Sequence, residues 1–521
     1  MKKYLYYIFN YIFIITFLAI FLGTLFFNKS LIYQEKVYVS IISFLVMLVI
    51  LAIIYFCLNN KMKEISLKRE IIISGIIGFI ILVLQVLCIY YLKSSPAWDW
   101  KDIYSSALAY VKGDFNSIDY SYFEKFANNY GMLYFEILLF KVLNFFGLIE
   151  HSLGAMVGVN LILVDISVIF LYLTIRNLYD NKKAIFSLVL VLLTVPFFNY
   201  LPILYTDTAS MMFPIAMLYV YSIFIKDRKN ENKNDVKSII LFAILGMITV
   251  ISIKIKFTCI IMLIAIGIDI IMRYKFKEYF KQILVMLIVI LLFNGLYTVF
   301  EYRLPVFNFD VSNNDKLIPY THWIMMGLGR RESGIDGRDF IGSYSKDAYD
   351  LTLSYDNVSD RKAANIEEIK NIIFKKYGIK NYLLFLYDKA LFVWSDGTYY
   401  APAFLRENPF VTKENIFSSL FHSDGKNVRY MFNENISMSL VMYFMFLVSS
   451  LGHVITKKNI ISVTHIAIFG MFVFFLIWES SSRYLVNYVP IFLVCTINGF
   501  DLFNNLINKV CSKYKLKSRL K

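Results

Sequence analysis

The chain has 521 residues, 58% hydrophobic and 18% aromatic, and a mean hydropathy of +0.59. Together with apolar runs of about 20 residues, the length that carries a helix across hydrocarbon, these values exclude a soluble globular protein. The net charge of +15 would suit nucleic acid, but the bases fall in short turns between apolar runs, so no nucleic-acid partner is expected.

Twelve spans are predicted, at roughly 4–27, 37–58, 71–92, 153–175, 183–203, 209–226, 237–253, 257–272, 281–301, 434–455, 459–478 and 484–506. The first follows Met1-Lys2-Lys3; its run is too long for a signal peptide and no A-x-A-like site follows, so it reads as a retained anchor. Basic turns at Asn59–Glu70, Arg176–Lys183, Lys226–Lys237, Arg273–Lys281, Lys457-Lys458 and Lys513–Lys521 belong in the cytoplasm. Both termini are then inside, and the number of spans is even. Met132–Leu148 is apolar enough for a thirteenth span, but it contains Glu136, Lys141 and Asn144 and would turn the Arg176–Lys183 bases outward. It reads instead as an amphipathic helix in the outer interface.

The expected fold is therefore an all-α polytopic membrane protein with two large extracellular loops carrying interfacial helices. It divides into N-terminal transmembrane helices (1–92), a first extracellular loop (93–152), a transmembrane core (153–301), a large extracellular module (302–433) and C-terminal helices with a basic cytoplasmic tail (434–521). The large module is Gly-rich around Met326–Gly342, helical near Ile366–Lys376 and amphipathic over Asn381–Trp394. Cys57, Cys88, Cys259, Cys495 and Cys511 lie in spans or the tail, with neither a disulfide framework nor zinc spacing. The wealth of Lys, Ile, Asn, Phe and Tyr is that of an AT-rich bacterial genome, which suggests the plasma membrane.

The stretch Lys93-Ser-Ser-Pro-Ala-Trp98-Asp99-Trp100-Lys101-Asp102 follows the third span directly. Asp99 between two indoles is either a solvated acid in an interfacial anchor or an acid held for chemistry at the membrane surface. Asp102 can cap a helix beginning at Ile103, and Asp207 can cap the sixth span while offering its other oxygen to a substrate or metal. Lys256 and Arg483 either snorkel or bind an anion. Glu479 either neutralises Arg483 or joins it in a polar pocket, and His322 is structural or a substrate contact. All of these fall on the outer face of the predicted topology. Asp165, in mid-span, needs a partner on a neighbouring helix or a function.

The succession Asn129-Tyr-Gly-Met-Leu-Tyr134, Phe145-Phe-Gly147, Arg176-Asn-Leu-Tyr179, Tyr205-Thr-Asp207 and Gly246–Lys256, with Asp99 and Arg483, resembles the GT-C superfamily of polyprenyl-phosphate-sugar-dependent membrane glycosyltransferases. The likeness is to the family 39-like group related to protein O-mannosyltransferases and the aminoarabinose transferase. Members often carry a paired proline where Asn128-Asn129-Tyr130-Gly131 stands here, and an adjacent acid pair where this chain has Asp99-x-x-Asp102. The resemblance implies inverting transfer of a hexose or pentose from an undecaprenyl-phosphate donor to an extracellular glycopolymer such as teichoic acid or wall polysaccharide. Asp99 would be the general base. Arg483, with Lys256, would hold the leaving phosphate. Asp102 and Asp207 would serve acceptor or metal, and Trp98, Trp100, His322 and Glu479 would touch substrate. A divalent cation, Mg or Mn, is left open. The competing classes are a lipid-linked saccharide flippase or transporter, which should place charges along a midplane path, and a glycan polymerase or ligase.

Overall fold

The computed structural model describes residues 2–61, 65–229, 235–302, 315–332, 338–411, 413–456 and 462–519. Lys63, Lys233, Lys457, Lys458 and Lys521 of the predicted basic turns and tail lie outside the described residues. Long apolar runs become helices because a helix satisfies every backbone donor and acceptor within one segment, which hydrocarbon demands. In chain order the main helices are α1 (Lys2–Phe26), α2 (Val37–Phe56), α3 (Leu67–Leu92), α4 (Trp98–Lys112), α5 (Tyr130–Phe145), α6 (Ser152–Leu178), α7 (Asn181–Leu192) and α8 (Met212–Lys229). They continue with α9 (Asp235–Ile255), α10 (Ile260–Arg273), α11 (Phe276–Tyr302), α12 (Gly378–Trp394), α13 (Ala401–Glu407), α14 (Val428–Ile455), α15 (Val463–Ile477) and α16 (Val489–Arg519). Among the described residues the sheet is a two-stranded antiparallel hairpin, β1 (Arg330–Glu332) with β2 (Asp339–Ile341).

Nine helical stretches among the described residues are long and apolar enough to cross a membrane. Three other predicted spans form shorter helices: α7 has 12 residues, α10 has 14 and α15 has 15. Each is cut short at one end by non-helical backbone. Pro196 and Pro202 follow α7, and a proline supplies no amide to continue a helix. Lys256 before α10 is extended (φ −152°, ψ 115°), as is Trp478 after α15 (φ −86°, ψ 162°). Met132–Leu148 contributes the 16-residue α5, which is shorter than a span and packs on α4.

The most apolar 18-residue window of Ser482–Asn508, a stretch containing most of α16, is 94% buried, whereas that of Phe276–Glu301 is 6% buried. The first is therefore the hub of the bundle and the second its rim. Gly499 lets the hub approach α14, since a Cβ there would sit 2.3 Å from the Met445 carbonyl oxygen; small residues permit such backbone contact between membrane helices.

The bundle has two distinguishable ends. At the terminal end, Lys2 Nζ donates to the Ile271 carbonyl at 2.6 Å and Asn60 Nδ2 to Asn504 Oδ1 at 2.8 Å, so both described termini lie there. The long connection 93–151 and the described residues of 315–427 gather at the opposite, loop end. Between the ends Gln85 Nε2 donates to Asp165 Oδ1 at 2.9 Å, so the mid-span acid has a structural partner on a neighbouring helix.

Candidate functional site

Three breaks in the apolar helices meet at the loop end. After α7, the passage to Thr206 is held by Asn160, whose buried amide donates to the carbonyls of Tyr200, Leu201 and Ile203 at 3.0, 2.9 and 3.1 Å. The break around Lys256 is held by Asn487 Nδ2 donating to Thr258 Oγ1 at 3.2 Å and by the Tyr488 hydroxyl donating to the Thr258 carbonyl at 3.0 Å. The third break, Trp478–Tyr488, thereby leans on the second. Helix α5 closes over them at Gly131, where any Cβ would sit 1.9 Å from the Lys254 carbonyl oxygen. Two separated motifs of the sequence, around Gly131 and before Lys256, are thus in backbone contact.

These breaks carry the charges. Asp207 faces Lys256, which donates to its Oδ1, and Arg483, whose Nη1 stands 3.8 Å from its Oδ2. Asp207 and Lys256 are nearly buried and Arg483 is 16% exposed. The Arg483 guanidinium lies against the rings of Tyr484, Phe404 and Tyr205, at 4.8, 5.2 and 5.6 Å. On the far side of the same tyrosine, the Tyr205 hydroxyl donates to Asp99 Oδ2 at 3.2 Å. Tyr122, which lies within reach of the Asp99 charge, accepts from Asn129 Nδ2 at 2.5 Å. Burial, reinforced by the Asp99 charge, holds both phenols protonated well above their usual range. Asp99 is therefore bonded by a neutral donor, Tyr205, whose ring also lies against the Arg483 guanidinium. Glu479, partly buried, accepts from the Tyr484 hydroxyl at 3.1 and 3.0 Å, and burial pushes its carboxyl up against the opposing pull of Arg483.

Local backbone explains where the acids point, and it corrects two expectations. The helix after Pro96 begins at Trp98, not Ile103, with extended Ala97 before it, so Asp102 is not a cap. Asp99 occupies the first turn, where the exposed amides favour a negative charge. Asp102 is half-buried one turn on, and burial followed by the nearby Asp99 raises its pKa. Asp207 likewise lies inside the short helix Thr206–Ala209, whose cap position is Tyr205. Its carboxylate is turned toward the two bases.

Of the predicted residues, the structure brings together Trp98, Asp99, Asp207, Lys256, Glu479 and Arg483. Trp98 packs edge-on against Phe404 at 4.2 Å. Trp100 is 3% exposed and belongs to the core. His322 is buried in the large module, its Nδ1 2.8 Å from Thr352 Oγ1; burial lowers its pKa to about 4. Neither presents a surface to the cluster.

The sequence, in which Trp394-Ser-Asp396-Gly stands out as a polar stretch of the outer loop, assigns no role to several supports. Asp396 accepts from Thr398 Oγ1 at 2.6 Å, Ser482 Oγ at 2.7 Å, the Tyr400 amide at 2.9 Å and Ser30 Oγ at 3.2 Å, tying three distant segments beside Arg483. Lys389, fully buried, donates to the carbonyls of Trp478 and Leu476 at 2.7 and 3.2 Å and so holds the turn that carries Glu479. A lysine inside the apolar Leu383–Trp394 run was the available signal. Trp98, Tyr399 and Tyr400 have positive φ values of 52°, 54° and 62°. Such conformations cost on the order of 1–3 kcal/mol each for non-glycine residues and concentrate at functional sites.

A resident divalent cation does not fit the donors present. Among the described residues no group of three or more His, Cys, Asp or Glu could hold a metal, and both Asp207 oxygens face positive charges.

Fold and site define a multi-pass integral membrane protein. The chain belongs to a family described as conserved hypothetical integral membrane protein, which matches residues 1–501. No curated protein and no solved structure matches it.

Proposed function

We propose that the protein is a GT-C-type glycosyltransferase that moves a sugar from an undecaprenyl-phosphate donor to an extracellular cell-wall polymer, with inversion. The observation that carries this reading is the arrangement around Tyr205: a carboxylate without a cationic hydrogen-bond partner on one side, and two bases sharing one acid on the other. Lys256 and Arg483 bring two positive charges to Asp207, and in a partly desolvated site those bases favour an incoming phosphate.

In the transfer, the acceptor oxygen attacks the anomeric carbon while Asp99 takes its proton. The bond from that carbon to the phosphate oxygen breaks on the opposite face, and polyprenyl phosphate leaves with the electron pair. Arg483 meets the charge developing on the phosphate, with Lys256 behind it. Tyr205 separates acid from base, so the two do not neutralise each other as a direct ion pair.

The topology supporting this reading has twelve passes, with the termini cytoplasmic and the site extracellular. Although α7, α10 and α15 are short, each lies in a run that joins the two ends. Lys183 meets Asp501 at 3.2 Å before that run reaches Asp207. α10 runs from Lys256 toward the carbonyls bonded by Lys2. α15 leads from His465, beside His453, to Trp478, which stacks on Trp323.

The test is purified protein in lipid nanodiscs with a polyprenyl-phosphate sugar and a wall-glycan extract. Release of polyprenyl phosphate that disappears in Asp99→Asn supports the proposal. Scrambling of the lipid without release indicates a flippase, and transfer of a whole oligosaccharide from a polyprenyl diphosphate indicates a polymerase or ligase.

A further inference from the structure

The helix that carries Lys389 to the cluster has a second, outward side. Along α12, Phe385 stacks on Tyr377 at 5.0 Å, and Leu391 reaches Gly23 of α1, where a Cβ would sit 2.3 Å from its Cδ2. The outward side is apolar and open. Ile379, Leu383 and Leu384 are 73, 62 and 57% exposed, and Phe374, on the preceding turn Asn371–Tyr377, is 66% exposed. With Tyr387 the α12 positions recur at spacings of three and four, which places them on one helical face. The amphipathic stretch expected at Asn381–Trp394 thus begins earlier, because Lys389–Trp394 is packed into the bundle. Large apolar side chains gathered in this way mark an interaction surface.

The same segment is basic. Lys375, Lys376 and Lys380 are exposed, and Asn371–Tyr387 contains no acid. The next acid in sequence, Asp388, already meets Arg330 and Lys29. Position supplies a further constraint. The Tyr387 hydroxyl donates to the Ala19 carbonyl at 3.4 Å. Ala19 lies in the candidate span Tyr4–Phe26, about 10 Å from its loop end at 1.5 Å per residue. Leu18, Leu22 and Phe26, on the turns around it, are exposed as a span exposes side chains to lipid. The outward face of α12 therefore adjoins the lipid belt of α1 where hydrocarbon gives way to head groups.

We propose that the Phe374–Tyr387 face is inserted in the loop-end leaflet of the bilayer, and that Lys375, Lys376 and Lys380 bind the phosphates of anionic phospholipids there. Apolar side chains flanked by lysines are the composition with which a helix lies in a negatively charged interface. The anchored helix ends in residues that frame the cluster: Lys389 holds the Trp478 carbonyl, and Asp396 accepts from Ser482 beside Arg483. Insertion thereby sets the height of Arg483 relative to the head groups. This surface is independent of whether the chain transfers a sugar.

The test uses the full-length protein carrying Cys57→Ser and Cys511→Ser, with a fluorophore on Leu383→Cys, in nanodiscs of equal parts phosphatidylcholine and phosphatidylglycerol. One lipid or the other carries a nitroxide near the top of its acyl chain. The expected result is quenching by the lipid nitroxide and protection from a water-soluble one. Quenching is stronger with the nitroxide on phosphatidylglycerol, each engaged lysine enriching that lipid locally by about fivefold. In the triple variant Lys375→Gln, Lys376→Gln, Lys380→Gln the two lipids quench equally. A label on Phe374→Cys repeats the measurement should the first labelled variant misfold. Quenching from water, protection from both quenchers as under a protein partner, equal quenching by the two lipids before the lysines are changed, or a preference that survives the triple variant overturns the proposal.

Discussion

At the terminal end of the bundle, Glu70 meets Arg176 at 2.7 Å, Asp269 meets Arg273 at 2.6 Å, and Lys183 meets both Asp180 at 2.5 Å and Asp501 at 3.2 Å. At the loop end, Lys256 and Arg483 share Asp207, and Asp99 accepts from the Tyr205 hydroxyl. Both ends bury charge next to tyrosine hydroxyls. They differ in whether the charge is consumed within the protein. Each of these bases at the terminal end has a carboxylate of its own, an arrangement that secures helix packing and leaves little for a ligand. The loop end instead keeps Asp99 apart from the two bases on Asp207, with Tyr205 between Asp99 and Arg483.

The sharpest way to break this comparison is at Asp99. Asp99→Asn is expected to lower turnover of a polyprenyl-phosphate sugar by about 10²–10⁴-fold, the range for loss of a general base. Its thermal unfolding in detergent should stay at the wild-type value, and a matching fall in stability would return Asp99 to a packing role. The counterpart at the terminal end is Arg273→Gln, which strands the fully buried Asp269. Removing one partner of such a pair destabilises by about 3–5 kcal/mol, so its melting temperature falls while turnover per folded molecule is unchanged.

Gly131→Ala addresses the contact that closes the site. The new methyl must displace the Lys254 carbonyl, and overpacking of this kind costs about 1–3 kcal/mol. Because that carbonyl lies next to Lys256, the variant should raise the KM for the lipid donor as well as lower stability. A stability loss with an unchanged KM would show that the breaks are not coupled.

The smallest effect concerns Lys389, whose burial lowers its pKa from 10.5 to about 7. The folded protein releases this proton near pH 7, and the unfolded chain holds it to about 10.5. Over that interval the unfolded state binds more protons, so stability rises with pH. Lys389→Met should flatten the melting temperature between pH 7 and 9. An identical slope in both proteins would place the titration elsewhere.

The apolar runs determined the helical class, and nine helices among the described residues are long and apolar enough to cross hydrocarbon, where a segment must satisfy its own backbone. Asp99, Asp207, Lys256 and Arg483 were also legible, since ionised side chains next to spans stand out against their surroundings. What sequence could not supply was where helices start and stop. Asp102 and Asp207 looked like caps because the positions of Trp98 and Tyr205 as the true boundaries depend on contacts with distant segments. Trp100 and His322 were candidate substrate contacts, His322 with a structural alternative, and tertiary packing buries both. The pairing of charges was decided in the same way. Lys256 and Arg483 are more than 200 residues apart and meet at Asp207 only because Asn160 and Asn487 hold two helix breaks open toward each other. Local pattern sets which residues are unusual, whereas the meeting of two bases on one acid is a property of the folded chain.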